Sequence, residues 1–430
     1  MDEDEYKNHH YVPQWYQKKF MLPGESNLFY HDMRPESFTD PRGVSHAKKS
    51  LWRQGSKKCF VEENLYTTKL PNIQAKDIEK YFFGQIDAKG KPAVEYFEKF
   101  DYPSKNWNGF LEDIMTYMST QKLRTPKGLS FLSKKLSSTN KNTILGAMVK
   151  LGRIHAAIWV ESVWLIADAS QSNTKFIISD HPVTVYNREC GPRSYLCRES
   201  NDPDIWLQGT HTIFPLSLEK ALILTNLSWV RDPYQSATGL RPNPDPFRGA
   251  VFKFTDIQVR RYLSEQEVRE INFIIKSRAK RYIAAAKQEW LYPEKFVSKS
   301  DWNTYGHGYL LMPDPRAIHW GGTVMWGGGP GGSGAVDEYG RLPGDPDFEA
   351  EPTKEREYKT LPWFQGEFAE LFGPYRRGRC MQTFEIEEER DSDDFHRYHL
   401  SLRKKKYRAR KKYQHLGSDP LASKSFKDNS

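Results

Sequence analysis

Four stretches of this chain hold residues that could do chemistry. They are His10 and Gln14 in HHYVPQWYQKKF (9–20), Gln121 and Arg124 in QKLRTP (121–126), Asp180 and His181 in SDHPV (179–183), and Asn272 in NFIIKSRAKRYI (272–283). Each lies beside residues expected in a core. Gln121 shares a helical stripe with Phe110, Ile114 and Tyr117, and Asn272 borders a stripe of Val268, Ile271 and Ile275. Asp180 and His181 come where the apolar run FIIS gives out. Burying an amide or a charge is costly without partners, so one shared polar site is more economical than four separate defects. On a phosphate-containing substrate, Arg124 would pair with phosphate oxygens and His10 would move a proton near neutral pH. Asp180 would orient that imidazole or, together with His181, hold a divalent metal ion. Gln14, Gln121 and Asn272 would position substrate or water. The catalytic candidates are thus His10, Asp180 and His181, with Asp180 and His181 also the metal candidates. The plain alternative is that each residue ties down neighbouring backbone.

The elements that must position these groups can be read from the hydrophobic pattern. Phe110, Ile114, Tyr117 and Met118 predict a helix that stops at Thr125, because Pro126 disfavours helical backbone before it. A second helix is predicted over 142–159. NLFYHD (27–32) and FVEENLYTT (60–68) read as strands, THTIFPLS and ALILTN as two more around a turn at 218–220, and AVFKFTDIQ (250–258) as another. VWLIADAS and KFIISD, joined by QSNT, predict a hairpin. Ser264 and Glu267 have capping-box spacing ahead of a helix. The fold expected is α+β, a central mostly antiparallel sheet flanked by helices with a less ordered C-terminal extension. The expected division is a core domain over 8–295, a Pro/Gly-rich linker or lid over 296–350, a short helical segment over 351–380 and a charged, disordered tail over 381–430. GGTVMWGGGPGGSG (321–334) is too glycine-rich for regular structure on this reading, and without a following GK[ST] it is no phosphate-cradling loop.

Composition narrows the function classes. The formal charge of +9 is local: RKKKYRARKK (403–412) carries eight positive charges, leaving a near-neutral body. Such a run binds polyanions without sequence preference. Four cysteines without a CxxC pair do not make a disulfide framework, and the Cys190/Cys197 spacing suits zinc poorly. No window approaches the ~20 apolar residues that span a bilayer. A cytoplasmic protein without a membrane partner is expected.

The motifs HHYVPQWYQKKF, QKLRTP, SDHPV, FPLS (214–217) and the asparagine opening NFIIKSRAKRYI occur in this order, and the chain resembles the domain of unknown function 4238 family over about residues 8–290. The resemblance implies no activity. Its motifs are largely the stretches singled out above, which favours a shared site. The function expected is a hydrolase or nuclease acting on a phosphate-containing substrate, with a non-catalytic nucleotide or nucleic-acid binding module as the alternative. A third reading makes the polar cluster a core network that fixes the N-terminal arm to the body.

Overall fold

The computed structural model describes residues 8–63, 65, 82–197, 201–242, 253, 255–318, 321–329, 332–339, 341, 342, 344, 352–374, 376–380 and 393–414. Two sheets form its centre. The first has four strands, Asn27–Asp32 (β1), Leu51–Gly55 (β2), Ile178–Ser179 (β4) and Tyr282–Ala285 (β9), in the order β2-β1-β9-β4 and antiparallel throughout. The second has six: Ser162–Asp168 (β3), Thr184–Tyr186 (β5), His211–Pro215 (β6), Lys220–Asn226 (β7), Ile257–Tyr262 (β8) and Arg379–Cys380 (β12). Its order is β12-β8-β3-β7-β6-β5, and only β8 with β3 runs parallel. Strand β3, SVWLIAD, is buried at every position, as befits a central strand covered on both faces. The α+β expectation, with a mostly antiparallel sheet, holds.

Local chemistry explains the helices that matter for the site. Trp107–Arg124 (α3) stops where Pro126 begins Pro126–Lys135 (α4), and Thr125 between them is extended and accepts the Gly128 N–H as N-cap. A Cβ on Gly128 would lie 2.4 Å from the Lys122 carbonyl oxygen and 2.5 Å from that of Leu123, so only glycine allows this corner. Gly84–Glu98 (α2) comes equally close, with Gly90 against the Tyr117 ring. Lys141–Val160 (α5) packs on α3, and Glu265–Arg278 (α7) carries the predicted capping box of Ser264 and Glu267.

Several expectations need correction. The stretches 162–168 and 174–179 are not a hairpin: β3 pairs with β7 and β8, whereas β4 joins the other sheet against β9. The core does not end at 295, since Trp302, Tyr305, Leu310 and Leu311 belong to the same apolar cluster. The Gly-rich stretch forms an antiparallel hairpin, Thr323–Gly329 (β10) with Gly332–Asp337 (β11), because ladder hydrogen bonds need no side chains. The short helical segment expected within 351–380 is the 21-residue helix Pro352–Phe372 (α8), whose Leu361, Phe364 and Phe368 bury against Trp229 and Val230 of Leu227–Arg231 (α6). Within the span expected to be a disordered tail, Asp393–Gln414 (α9) is a helix that packs on α8 and buries His399, and the basic run 403–412 falls on it. Residues 66–68, 250–252, 254 and most of the acidic block before α9 lie outside the described residues. One helix, α5, is long and apolar enough to cross a membrane by composition, against the expectation that none would be. It buries Ile144, Met148, Ile158 and Trp159 in the main core, the behaviour of a core helix.

Candidate functional site

The N-terminal arm is anchored as its aromatics suggest. Its short helix is Gln14–Lys18 (α1); Tyr11, Val12, Tyr16 and Phe20 are buried, and the Tyr16 ring stacks on Phe214 with centroids 5.4 Å apart. Its polar neighbours bond to main chain or to other side chains of the packed protein. Gln121 donates to the Tyr11 carbonyl at 2.7 Å and accepts from Arg124 Nε at 2.9 Å, while Arg124 pairs bidentately with Asp87 at 2.8 and 3.1 Å. His10 shares a 3.1 Å bond with the Lys57 carbonyl, and burial lowers its pKa. Half-buried Gln14 accepts only a long 3.5 Å bond from Ser56.

Asp180 and Asn272 are also taken up by main chain. The Asp180 carboxylate accepts from the backbone N–H of Lys280 at 2.8 Å, Arg281 at 2.6 Å and Tyr282 at 2.8 Å, which fixes the start of β9. Burial still raises its pKa above the ordinary value despite these donors. Asn272 donates to the Lys175 carbonyl at 2.8 Å and accepts from Ile177 at 3.1 Å, which seats the segment leading into β4. Asp180 and His181 turn to different partners, with every oxygen and ring nitrogen of the pair engaged, so they do not fit a divalent ion as a pair. Among the described residues no group of three or more His, Cys, Asp or Glu could hold a metal.

Of the seven, Asn272 lines a cavity of about 160 Å³ beside Glu265 and Trp290, and His181 lines a larger one, about 330 Å³, at the α3–α4 corner. Four further ionisable residues that are buried or half-buried reach it: Lys122 from the end of α3, Lys127 from the start of α4, His155 from α5, and Asp202 from the loop before β6. Asp202 is the hub. Lys127 Nζ donates to its carboxylate at 2.6 Å, Lys122 Nζ lies 3.3 Å away and His181 Nε2 3.2 Å. Burial would raise the Asp202 pKa, but the charges of Lys127 and Lys122 and the His181 bond hold it well below the carboxylate range. Burial lowers Lys127 in spite of its anionic partner. His181 is pushed down to about 3, by burial first and then by the Lys122 charge, and is neutral at pH 7. With Nε2–H assigned toward Asp202, Nδ1 accepts the Thr125 hydroxyl at 2.9 Å. Thr125 is fully buried and caps α4, so this chain orients the imidazole and activates no nucleophile. His155 is likewise pushed down to about 3, by burial and then by Lys122 and Lys135, and its Nδ1 is buried without a hydrogen-bond partner.

Lys122 is the least satisfied cation of the group. It is 8% exposed, and its contacts to His181, the Val183 carbonyl and Asp202 span 3.3–3.4 Å. Charge-assisted bonds are shorter, about 2.7–2.9 Å. Phe131 and Tyr195 add aromatic surface to the same cavity, and exposed Asp204 stands among its lining.

Sequence reasoning found His181 and missed Lys122, Lys127, His155 and Asp202. Both lysines lie within or beside the QKLRTP motif, and a lysine one position from buried Gln121 was the available signal. His155 and Asp202 carry no spacing that marks them.

No similarity to a curated protein or to a solved structure was found. The family model described as "Protein of unknown function (DUF4238)" matches residues 8–151 and 155–289, and every residue lining the cavity falls inside these spans. The match covers well over half of the sequence, and the chain belongs to this family.

Proposed function

We propose that the cavity at the α3–α4 corner binds a small phosphate-containing ligand, with Lys122 as the principal anion contact. The observation that carries this reading is a buried ammonium at a cavity with no partner at charge-assisted distance. A phosphate oxygen would supply that partner. Lys127 adds a second positive charge, and Asp202 keeps the pair solvated by protein until ligand arrives. The volume, near the lower end of the roughly 300–1,000 Å³ common for ligand pockets, suits a mononucleotide or similar phosphate ester. A nucleic-acid ligand would offer only a terminal or flipped-out nucleotide to this cavity, and the basic run 403–412 would add affinity without sequence preference.

A second reading, hydrolysis of the bound phosphate ester, is favoured by His155. This imidazole lines the cavity, and its Nδ1 has no hydrogen-bond partner. Burial is the main cause of its low pKa and the Lys122 charge the next, and a phosphate beside Lys122 would offset the second and raise the pKa from there.

Titration calorimetry with pyrophosphate, AMP and citrate tests binding, and product release from AMP and a dinucleotide tests turnover. Lys122→Met should leave the protein folded and reduce phosphate affinity by about tenfold or more, a loss of ~1.4 kcal/mol. Equal phosphate affinity in wild type and Lys122→Met would sink the binding reading. Turnover unchanged in His155→Asn would remove the hydrolytic one.

A further inference from the structure

The cavity at the α3–α4 corner changes character between its buried and its exposed lining. The buried part holds the cations Lys122 and Lys127, whereas the exposed part is Tyr195, Leu196 and Asp204. Tyr195 is 72% exposed, more than any other tyrosine among the described residues. Among those residues its ring meets no other aromatic and its hydroxyl makes no hydrogen bond. Nothing inside the described fold uses this ring. The turn that carries it, Tyr195–Cys197, is nevertheless set by main-chain bonds, from the Ser194 N–H to the Gly191 carbonyl at 2.9 Å and from the Cys197 N–H to the Ser194 carbonyl at 3.0 Å. Arg278 ties the segment to the end of α7 on both sides of the turn, donating to the carbonyls of Cys190 and, at 3.0 Å, Asn201. Half-buried Phe131 of α4 brings a second ring to the same cavity. The Asp204 carboxylate is only half used: Oδ1 accepts the Trp206 N–H at 3.1 Å, and Oδ2 has no protein donor among the described residues.

We infer that Tyr195, Phe131 and Asp204 form a base subsite at the mouth of the cavity, and that the ligand is a guanine nucleotide whose phosphate reaches Lys122. An acidic side chain at the mouth of an anion site repels the phosphate, so its use lies with another part of the ligand. Aromatic rings without internal partners offer their faces to any flat base. The free carboxylate oxygen then selects by the donors on the base edge. Guanine alone of the common bases presents two adjacent donors on one edge, the N1–H and the N2 amine, which matches a carboxylate acceptor. The phosphate end of this ligand rests on the binding reading above, and the base end rests on the mouth residues alone.

The test is titration calorimetry of the full chain with pyrophosphate, ribose 5-phosphate, GMP and IMP, beside saturation-transfer NMR on the H8 proton of guanosine. GMP should bind about tenfold or more tighter than ribose 5-phosphate, and tighter than IMP, which lacks the N2 amine. Tyr195→Ala should remove most of that gain and leave pyrophosphate affinity unchanged. Asp204→Asn should weaken GMP about tenfold while pyrophosphate binds as well or better, because a negative charge has left the mouth. Damage to the fold would weaken both ligands together. GMP no tighter than ribose 5-phosphate, or GMP affinity equal in wild type and Asp204→Asn, would overturn the base subsite. If pyrophosphate does not bind, the phosphate reading and the phosphate end fall together, and guanosine decides the mouth alone. Saturation transfer present in the wild type and lost in Tyr195→Ala upholds the subsite, and no transfer to guanosine overturns it.

Discussion

Two groups of buried polar side chains flank the α3–α4 corner. Gln121 and Arg124 turn toward the arm and α2, with the Tyr11 carbonyl and Asp87 as partners at short distances. Lys122 and Lys127 turn toward the cavity, where their partners are chiefly other ionisable side chains around an open volume. The residue types are alike and the burial is alike. What differs is whether a side chain is closed off by short bonds inside the packed protein or faces other charges across a space that could admit a ligand. Groups of the first kind are worth most to stability, and groups of the second kind are where ligand chemistry can occur.

This comparison can be broken by measurement. The largest effect should come from Asp180→Ala, which removes the buried acceptor of three part-buried N–H groups at once and should lower unfolding free energy by about 3–5 kcal/mol in denaturant melts. A loss below ~1 kcal/mol would mean that the carboxylate is held for something else.

Acid should separate the two groups next. His155 and His181 have folded pKa values of about 3 against an ordinary 6.5, so the unfolded chain binds more protons between those values. Their contribution is complete above pH 6.5 and is lost as pH falls toward 3, each group losing at most ~1.4 kcal/mol per pH unit by linkage. Asp202, depressed below 3.8, adds a loss only at lower pH. Melting temperature should therefore decline between pH 6.5 and 4, and less steeply in His181→Asn. An identical slope in that variant would contradict the buried neutral imidazole.

Arg124→Ala should cost about 2–3 kcal/mol, by leaving Gln121 and Asp87 without their donor. Phosphate affinity per folded molecule should not change. The smallest effect in energy is the sharpest in kind. Asp202→Asn removes the internal anion from between two lysines and should raise pyrophosphate affinity about tenfold, ~1.4 kcal/mol, in calorimetry. Weaker binding would show that Asp202 orients the lysines and does not compete with ligand.

Much of the framework was legible because its signals are local. NLFYHD is β1 as read, the β6–β7 hairpin turns at the expected place, and the Ser264/Glu267 capping box starts α7. The supposed hairpin of 162–168 with 174–179 failed because neighbouring runs in sequence were drawn to different sheets by long-range pairing. Glycine-rich β10 and β11 were missed because pairing through the main chain leaves no side-chain pattern to read. At the site, composition correctly flagged Gln121, Arg124, Asp180 and Asn272 as polar groups in a core. Burial alone does not distinguish a residue that caps main chain from one that faces a ligand, and six of the seven candidates proved to lie outside the lining of the α3–α4 cavity. Lys122 and Lys127 escaped notice because lysine ordinarily reads as surface.

Gly128 gives the corner its last consequence. Because two helices meet there at the contact distance of carbonyl and Cα, the roots of Lys122 and Lys127 are separated by a span that the main chain dictates. The cleft thus behaves as a caliper with a fixed jaw, and it should sort guests by the breadth of their anionic group before it sorts them by total charge.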